Sequence, residues 1–155
     1  MKKIIVFMLL MIFAVSLQPV YADETVSEIE YLDDGCYYET VIESEAPVGG
    51  VRLQSTTKTK TKSKTVYFKN SKGEVQWYVK VTGTFKYGNG SSKCTAASAT
   101  AVSEVAAWKI SDKSSSRSGN AATAEATAKR YVKGVAVETG SKSVTLKCSP
   151  SGNFS

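Results

Sequence analysis

Apolar and polar residues alternate with a period of two in the clearest segment of the chain, EVQWYVKVTGTFKY, at residues 74–87. One set of alternate positions holds Trp77, Val79, Val81, Gly83, Phe85 and Tyr87. Aromatic and β-branched residues in this pattern predict a half-buried strand with Trp77 in the core. Gly83 within the strand indicates a bulge or a close crossing. The preceding KTVYFKN predicts a second strand joined through the turn NSKGE, and YGNGSS predicts the turn that follows.

Two alanine-rich segments, residues 95–110 and 120–132, are harder to interpret. Alanine favours helix, but the strict alternation of alanine with polar residues at positions 122–129 favours a strand. Small residues on an inward face suit a sheet that packs closely against another sheet. We interpret SDKSSSRSGN (residues 111–120) as a polar loop, and residues 131–139 and 142–149 as a hairpin around Gly140 and Ser141. The predicted fold is an all-β antiparallel sandwich of about seven or eight strands, with an acidic N-terminal arm.

The chain begins with MKKIIVFMLLMIFAVSLQPVYA, in which two lysines precede an apolar run and small residues end the segment. This pattern predicts a secretory signal peptide at residues 1–22, since the run is short for a membrane span. We expect an acidic, partly ordered arm at residues 23–50 and a basic β-sandwich domain at residues 51–155. The mature chain is then extracellular without a transmembrane segment, either free or held at a cell surface by noncovalent contacts.

Charge is divided unevenly along the predicted mature chain. Residues 23–45 contain nine acidic residues and no Lys or Arg, whereas residues 46–155 contain eighteen basic and five acidic residues. One interpretation is a solvated acidic arm beside a basic domain, each kept soluble by its charge. The other is an arm that lies on the basic face and competes with an anionic partner.

Lysine occupies every second position of TKTKTKSKT (residues 57–65), at Lys58, Lys60, Lys62 and Lys64, which we call the lysine row. In an extended chain these side chains share one face at a spacing of about 7 Å. Neighbours repel by roughly 0.6 kcal/mol in water, a cost that a fold can bear without a ligand.

Two interpretations of the lysine row follow. A lysine-rich edge strand protects a sheet against edge-to-edge aggregation. Alternatively, the row binds a regularly charged polyanion, such as wall teichoic acid, anionic lipid head groups, glycosaminoglycans or extracellular DNA. Lysine contacts phosphate as a point charge, so specific reading of a nucleic acid is not expected. Trp108 is the tryptophan with more freedom to stack on a ligand, although a place in the core is expected for it too. The hypothetical polyanion-binding set is Lys58, Lys60, Lys62, Lys64, Lys80 and Lys86.

Histidine is absent from the sequence, which excludes Ser-His-Asp and Cys-His nucleophile pairs and histidine zinc sites. A pair of carboxylates could still hydrolyse a glycosidic bond, but no motif places any two of the body's acidic residues together. These residues are Glu74, Glu104, Asp112, Glu125 and Glu138. No phosphate loop or dinucleotide motif occurs. We predict a protein that is not an enzyme, with no catalytic residues, no metal site and no cofactor.

Cys36, Cys94 and Cys148 are the three cysteines of the chain. An oxidising extracellular medium permits a disulfide. We predict that Cys94, after a turn, pairs with Cys148, which faces inward on a strand. Cys36 is then free or links two chains into a disulfide-bonded dimer. Three buried thiols are the alternative.

The segments GTFKYGNGSSKCTAAS, GNAATAEATAK and SVTLKCSPSGNFS, together with the signal sequence, resemble a group of small secreted proteins of Gram-positive bacteria. The resemblance covers most of the mature chain and implies a compact, mostly β extracellular domain with no established activity and no catalytic residue. The group's pattern contains the two later cysteines, which supports their pairing and makes Cys36 the departure.

Overall fold

The computed structural model describes residues 25–43 and 56–155, which form eight strands in two antiparallel sheets. The five-stranded sheet has the order β1-β2-β3-β4-β5 and the three-stranded sheet the order β6-β7-β8. The predicted all-β sandwich is therefore confirmed. The predicted signal peptide, residues 1–22, lies outside the described residues. The strands are β1 (Thr25–Tyr31), β2 (Tyr37–Glu43), β3 (Lys58–Lys69), β4 (Val75–Gly88), β5 (Ser91–Ser103), β6 (Trp108–Ser118), β7 (Ala121–Val132) and β8 (Val135–Lys147).

The acidic segment contributes β1 and β2 to the five-stranded sheet. β2 pairs with β3 from Tyr37 opposite Lys69 to Glu43 opposite Ser63. The first five residues of β3, Lys58–Lys62, pair with β4 alone among the described strands. The half of β3 that carries most of the lysine row is therefore a local sheet edge within the described part of the chain.

Both alanine-rich segments form strands, β5 and β7, as their alternation predicted. The alternate alanines of β7, from Ala122 to Ala128, are buried between the two sheets. A Cβ atom added to Gly83 of β4 would lie 2.9 Å from the Cβ of Ala122. Gly83 therefore marks a close crossing, and the small side chains of β7 allow the sheets to approach there.

Two local predictions were wrong. Residues 111–118 belong to β6 and pair with β7 instead of forming a loop. β6 is an edge strand of the described three-stranded sheet. Because all side chains at 111–118 are exposed, the sequence shows no apolar alternation that would predict the strand. The last hairpin turns at Lys133 and Gly134, which have φ angles of 49° and 83°, as its two-residue loop requires. β8 continues through Gly140, where a Cβ atom would lie 3.3 Å from Cζ2 of Trp77.

Aromatic residues fill one end of the core. Trp77 and Trp108 are both buried, with ring centroids 6.3 Å apart, and Phe68 packs edge-on against Trp108 at 5.4 Å. The predicted core position of Trp77 is confirmed, and Trp108 is too deeply buried to stack on a ligand. At the other end, Phe85 and Leu146 pack beside the alanines of β7.

Candidate functional site

The lysine row lies on the face of β3 that is directed toward the three-stranded sheet. Lys60, Lys62 and Lys64 stand opposite Phe85, Gly83 and Val81 of β4, which belong to the core-facing side. The lysines nevertheless reach solvent, since Lys58 and Lys60 are exposed and Lys62 and Lys64 are half-buried. Three strands cannot cover all of a five-stranded sheet. The row lies beside the end of β8, where Phe154 bridges to Cys148 and contacts Lys60 and Lys62.

The ring of Phe154 lies against two lysines of the row, Lys60 and Lys62. Its ring packs edge-on against Phe85 at 5.4 Å, and the Nζ atoms of Lys60 and Lys62 lie 5.7 and 5.8 Å from its centroid. Burial of the Lys62 stem, followed by the nearby charge of Lys60, lowers the pKa of Lys62. The aromatic face attracts the two cations by cation–π interaction.

The acidic arm leaves the lysine row unpaired within the described residues. Three of the four ion pairs there join an arm glutamate to a lysine outside the row: Glu39 to Lys69, Glu43 to Lys80, and Glu30 to Lys142. The Glu43–Lys80 pair has an N–O distance of 2.5 Å, and the hydroxyl of buried Thr65 donates to the same carboxylate at 3.1 Å. The described part of the arm thus neutralises part of the body while the row keeps its charge.

The structure does not bring all six predicted lysines together. Lys80 and Lys86 lie on the opposite face of the five-stranded sheet from the row, since they alternate with the core residues of β4. Lys80 is held by Glu43 in the middle of the sheet. Lys86 is exposed at the same end of the sandwich as Lys58.

The end of the sandwich that carries Lys58 is uniformly basic. It comprises residues 56–62, 83–97, 115–124 and 144–155, which strand pairing and core packing bring together. These residues include no Asp or Glu, and we call this region the basic end. Its seven basic residues are Lys58, Lys60, Lys62, Lys86, Lys93, Arg117 and Lys147.

Sequence reasoning missed three basic residues of this end. Lys93 is directly opposite Lys86 across the β4–β5 hairpin, and the symmetric placement of these residues about the predicted turn could have revealed the pair. Arg117, which donates to the main-chain oxygen of Thr95, and Lys147 come from segments that only the tertiary fold brings close. No local pattern indicates them.

The cysteines are free thiols in the structure, so the predicted disulfide between Cys94 and Cys148 is not formed. Both residues flank the β6–β7 turn, where Gly119 accepts from the N–H of Cys94 and Asn120 from that of Cys148. Their sulfurs donate to separate main-chain oxygens, at 3.2 Å to Ala96 and 3.4 Å to Ser149. Cys36 is half-buried beside Asp34, and a dimer linked through it stays a prediction.

Two carboxylates of the body share one surface depression. Asp112 and Glu125 line a shallow depression of the exposed face of the three-stranded sheet, together with Thr127 and Ser141. Both acids are exposed, whereas the pKa of a general acid is usually raised by burial or by a close like charge.

Residues 25–43 and 56–155 contain no group of three or more acidic or cysteine residues able to hold a metal ion. The same described ranges contain no helix long and apolar enough to cross a membrane.

Comparison with known proteins adds no assignment, since no protein-family model, curated protein or solved structure matches the chain.

Proposed function

We propose that this protein is a secreted, non-enzymatic, extracellular protein that binds anionic polymers through its basic end, at or near a bacterial surface. The observation that carries the proposal is the lysine row, which remains without an ion-pair partner among the described residues and rests partly on Phe154. Glu30, Glu39 and Glu43 of the arm pair with lysines outside the row, so the row keeps its charge available for an anionic ligand.

The regular spacing of the row suits a polymer with regularly spaced charges. Lysines on alternate residues of a strand lie about 7 Å apart, and a phosphodiester chain with a short carbon spacer carries its phosphates at a similar interval. Lysine contributes point charges without bidentate reading, so recognition depends on charge spacing and not on base sequence. Lys86, Lys93, Arg117 and Lys147 extend the field around the same end of the molecule and attract a polyanion from a distance.

Salt-dependent binding of the purified protein to polyglycerol phosphate tests this proposal. Each lysine that contacts phosphate contributes about 0.7–0.9 to the slope of log K against log salt, so four lysines weaken binding about a hundredfold between 50 and 200 mM salt. The variant with Lys58, Lys60, Lys62 and Lys64 all changed to Gln should reduce that slope by about 3.

The matched control changes the same number of charges elsewhere. The control variant changes four lysines outside the basic end to Gln: Lys72, Lys113, Lys129 and Lys133. This variant should retain most of the affinity and most of the slope. Equal losses in both variants would mean that net charge alone drives binding and would contradict a specific surface. If the unaltered protein does not bind at low salt, the proposal is rejected. The protein would then be a structural module without a ligand, and the lysine row would serve to protect a sheet edge against aggregation.

Exposed apolar residues at the opposite end favour a second candidate, a bacteriocin-like or toxin-like protein that acts on membranes. Val132, Val135 and Val137 on the β7–β8 hairpin are 47%, 65% and 51% exposed, and Tyr31 is 73% exposed. Leakage of dye from anionic vesicles separates the candidates. Release that is lost when the three valines are changed to Ser would support the membrane function, whereas vesicle binding without release would reject it.

A further inference from the structure

Among residues 25–43 and 56–155, the outer edge of β8 pairs with no further strand; it adjoins the lysine row at Phe154 and belongs to the narrower of the two sheets. We propose that this edge binds an extended acidic peptide, which adds to the three-stranded sheet as a fourth strand above the lysine row. This binding mode goes beyond polymer binding, because it requires a ligand that alternately donates and accepts hydrogen bonds along the strand, whereas ionised phosphate oxygens only accept them. This mode of recognition draws affinity from the main chain and specificity from alternate side chains.

Within the part of the chain that the structure describes, the main chain of β8 has unused hydrogen-bonding groups on its outer side. Lys147 donates its N–H to the oxygen of Ser155 at 2.9 Å and accepts from the N–H of Ser155 at 3.1 Å. Its main-chain groups therefore point away from β7. Since orientation alternates along an antiparallel strand, those of Thr145, Ser143 and Ser141 point the same way.

Side-chain contacts across the β7–β8 ladder support this alternation. The hydroxyls of Thr123 and Thr145 are 2.9 Å apart, as are those of Thr127 and Ser141. Close side chains are typical of the pairs that exchange no main-chain hydrogen bonds. The described residues supply no main-chain partner for these outward groups of β8.

Phe154 already occupies the start of the fourth-strand position. It forms an antiparallel bridge with Cys148, and its ring turns toward the five-stranded sheet, where it meets Lys60 and Lys62. A strand that continued along β8 from there would direct every second side chain toward the five-stranded sheet, first over β3 and then toward Tyr38 of β2, which Lys142 contacts. The next lysines along β3 are Lys62 and Lys64, which lack an acidic partner among the described residues.

The charge of the row selects the occupant. Acidic side chains at two successive inward positions of the added strand would face Lys62 and Lys64, and the intervening side chains would point to solvent. A basic strand, including the lysine-bearing β3 of a second copy, would be repelled. The ligand is therefore an acidic extended segment whose charges alternate with neutral residues.

Fluorescence anisotropy with two capped, labelled heptapeptides of the same composition tests the inference on the purified protein. In one peptide, glutamate alternates with threonine; in the other, three consecutive glutamates are flanked by threonines. We expect the alternating peptide to bind at least tenfold tighter. Equal affinities would overturn the inference, since charge alone would then explain binding.

A pair of variants at Ser143 tests the main-chain contact. Ser143→Pro removes an N–H that β7 does not use, and proline is tolerated on edge strands; Ser143→Ala keeps that N–H. The proline variant should bind the alternating peptide at least fivefold more weakly, while the alanine variant should stay within twofold. Unchanged binding by a folded proline variant would overturn the inference.

A variant with Lys62 and Lys64 both changed to Gln gives a second measure that does not depend on the proline. It should abolish the preference for the alternating peptide. Binding of polyglycerol phosphate by Ser143→Pro separates the two proposals, because it should match the unaltered protein if polymer binding is correct. Peptide binding without polymer binding would reject the proposed function and leave this inference intact.

Discussion

Gly83→Ala is expected to destabilise the protein strongly, because the two sheets cross at this residue. The new Cβ atom would lie 2.5 and 2.7 Å from two ring carbons of Phe85 and 2.9 Å from the Cβ of Ala122. Carbon atoms in favourable contact are about 3.5–4.0 Å apart, so one or both neighbours must move by roughly 1 Å. Phe85 and Ala122 are both completely buried, and the surrounding core offers them little room.

The expected cost follows from the response of packed cores to added carbon atoms. Overpacking costs about 1–3 kcal/mol, and alanine returns roughly 0.5 kcal/mol by restricting the unfolded chain. We expect a net loss of about 1.5 kcal/mol, which lowers the urea midpoint by about 1 M. Tryptophan fluorescence is a suitable probe, since Trp77 and Trp108 are both buried and lose that environment on unfolding.

Two further variants distinguish steric crowding from backbone effects. Gly90→Ala meets no atom within 4 Å but must adopt a φ of 74°, so it reports the positive-φ cost of about 1–2 kcal/mol alone. Phe85→Leu in the Gly83→Ala background should recover stability relative to the sum of the single changes, with a coupling of about 0.5–3 kcal/mol. A Gly83→Ala protein within 0.5 kcal/mol of the unaltered one, or strict additivity with Phe85→Leu, would refute the close crossing.

Other predictions concern charge and the half-buried thiol. Lys93→Glu replaces the like-charged pair with Lys86 by an oppositely charged pair. Urea unfolding should show a gain in stability of about 0.2–1 kcal/mol, and binding of polyglycerol phosphate should weaken. A loss of stability would contradict the pairing of Lys86 with Lys93. Burial, then the hydrogen bond and charge of Asp34, raise the pKa of Cys36. Asp34→Asn should therefore increase the rate of Cys36 alkylation at pH 7.5, measured by mass spectrometry with Cys36→Ser as the control; a slower rate would exclude this electrostatic effect. The hydrogen bond from the N–H of Cys36 lowers the pKa of Asp34, so its small contribution to stability is present above the unfolded pKa and is lost as pH falls through the folded value.

The sequence predicted the fold where burial and strand period coincide. In β4 every second residue enters the core, so the apolar pattern records both the strand and its inward face. The alternating alanines of β7 carry the same information despite their helix propensity, because contact between sheets overrides local preference. These two strands identified a sandwich with a closely packed centre.

The predictions from the sequence were wrong where the strand is exposed or where a single tertiary contact determines the structure. The side chains of β6 are exposed after Ile110, so the sequence there has no apolar period that would predict a strand. The strand forms through its main-chain pairing with β7. Gly140 resembles a turn residue, but it lies within β8, where an added Cβ would crowd Trp77 at 3.3 Å. The basic end could be predicted only in part, since Arg117 and Lys147 join the lysine row through tertiary packing.

The alanines between the sheets also affect how the molecule responds to heat and pressure. An alanine side chain has no rotamers to lose on folding, so this layer is ordered at the expense of backbone entropy alone. It has no rotamer changes with which to absorb strain, and its compressibility should be low. The larger side chains keep rotamer freedom, and most of them belong to the aromatic cluster around Phe68, Trp77 and Trp108, so volume fluctuation should be greatest there. The sandwich is expected to soften first at that aromatic end, away from the charged surface that we assign to binding.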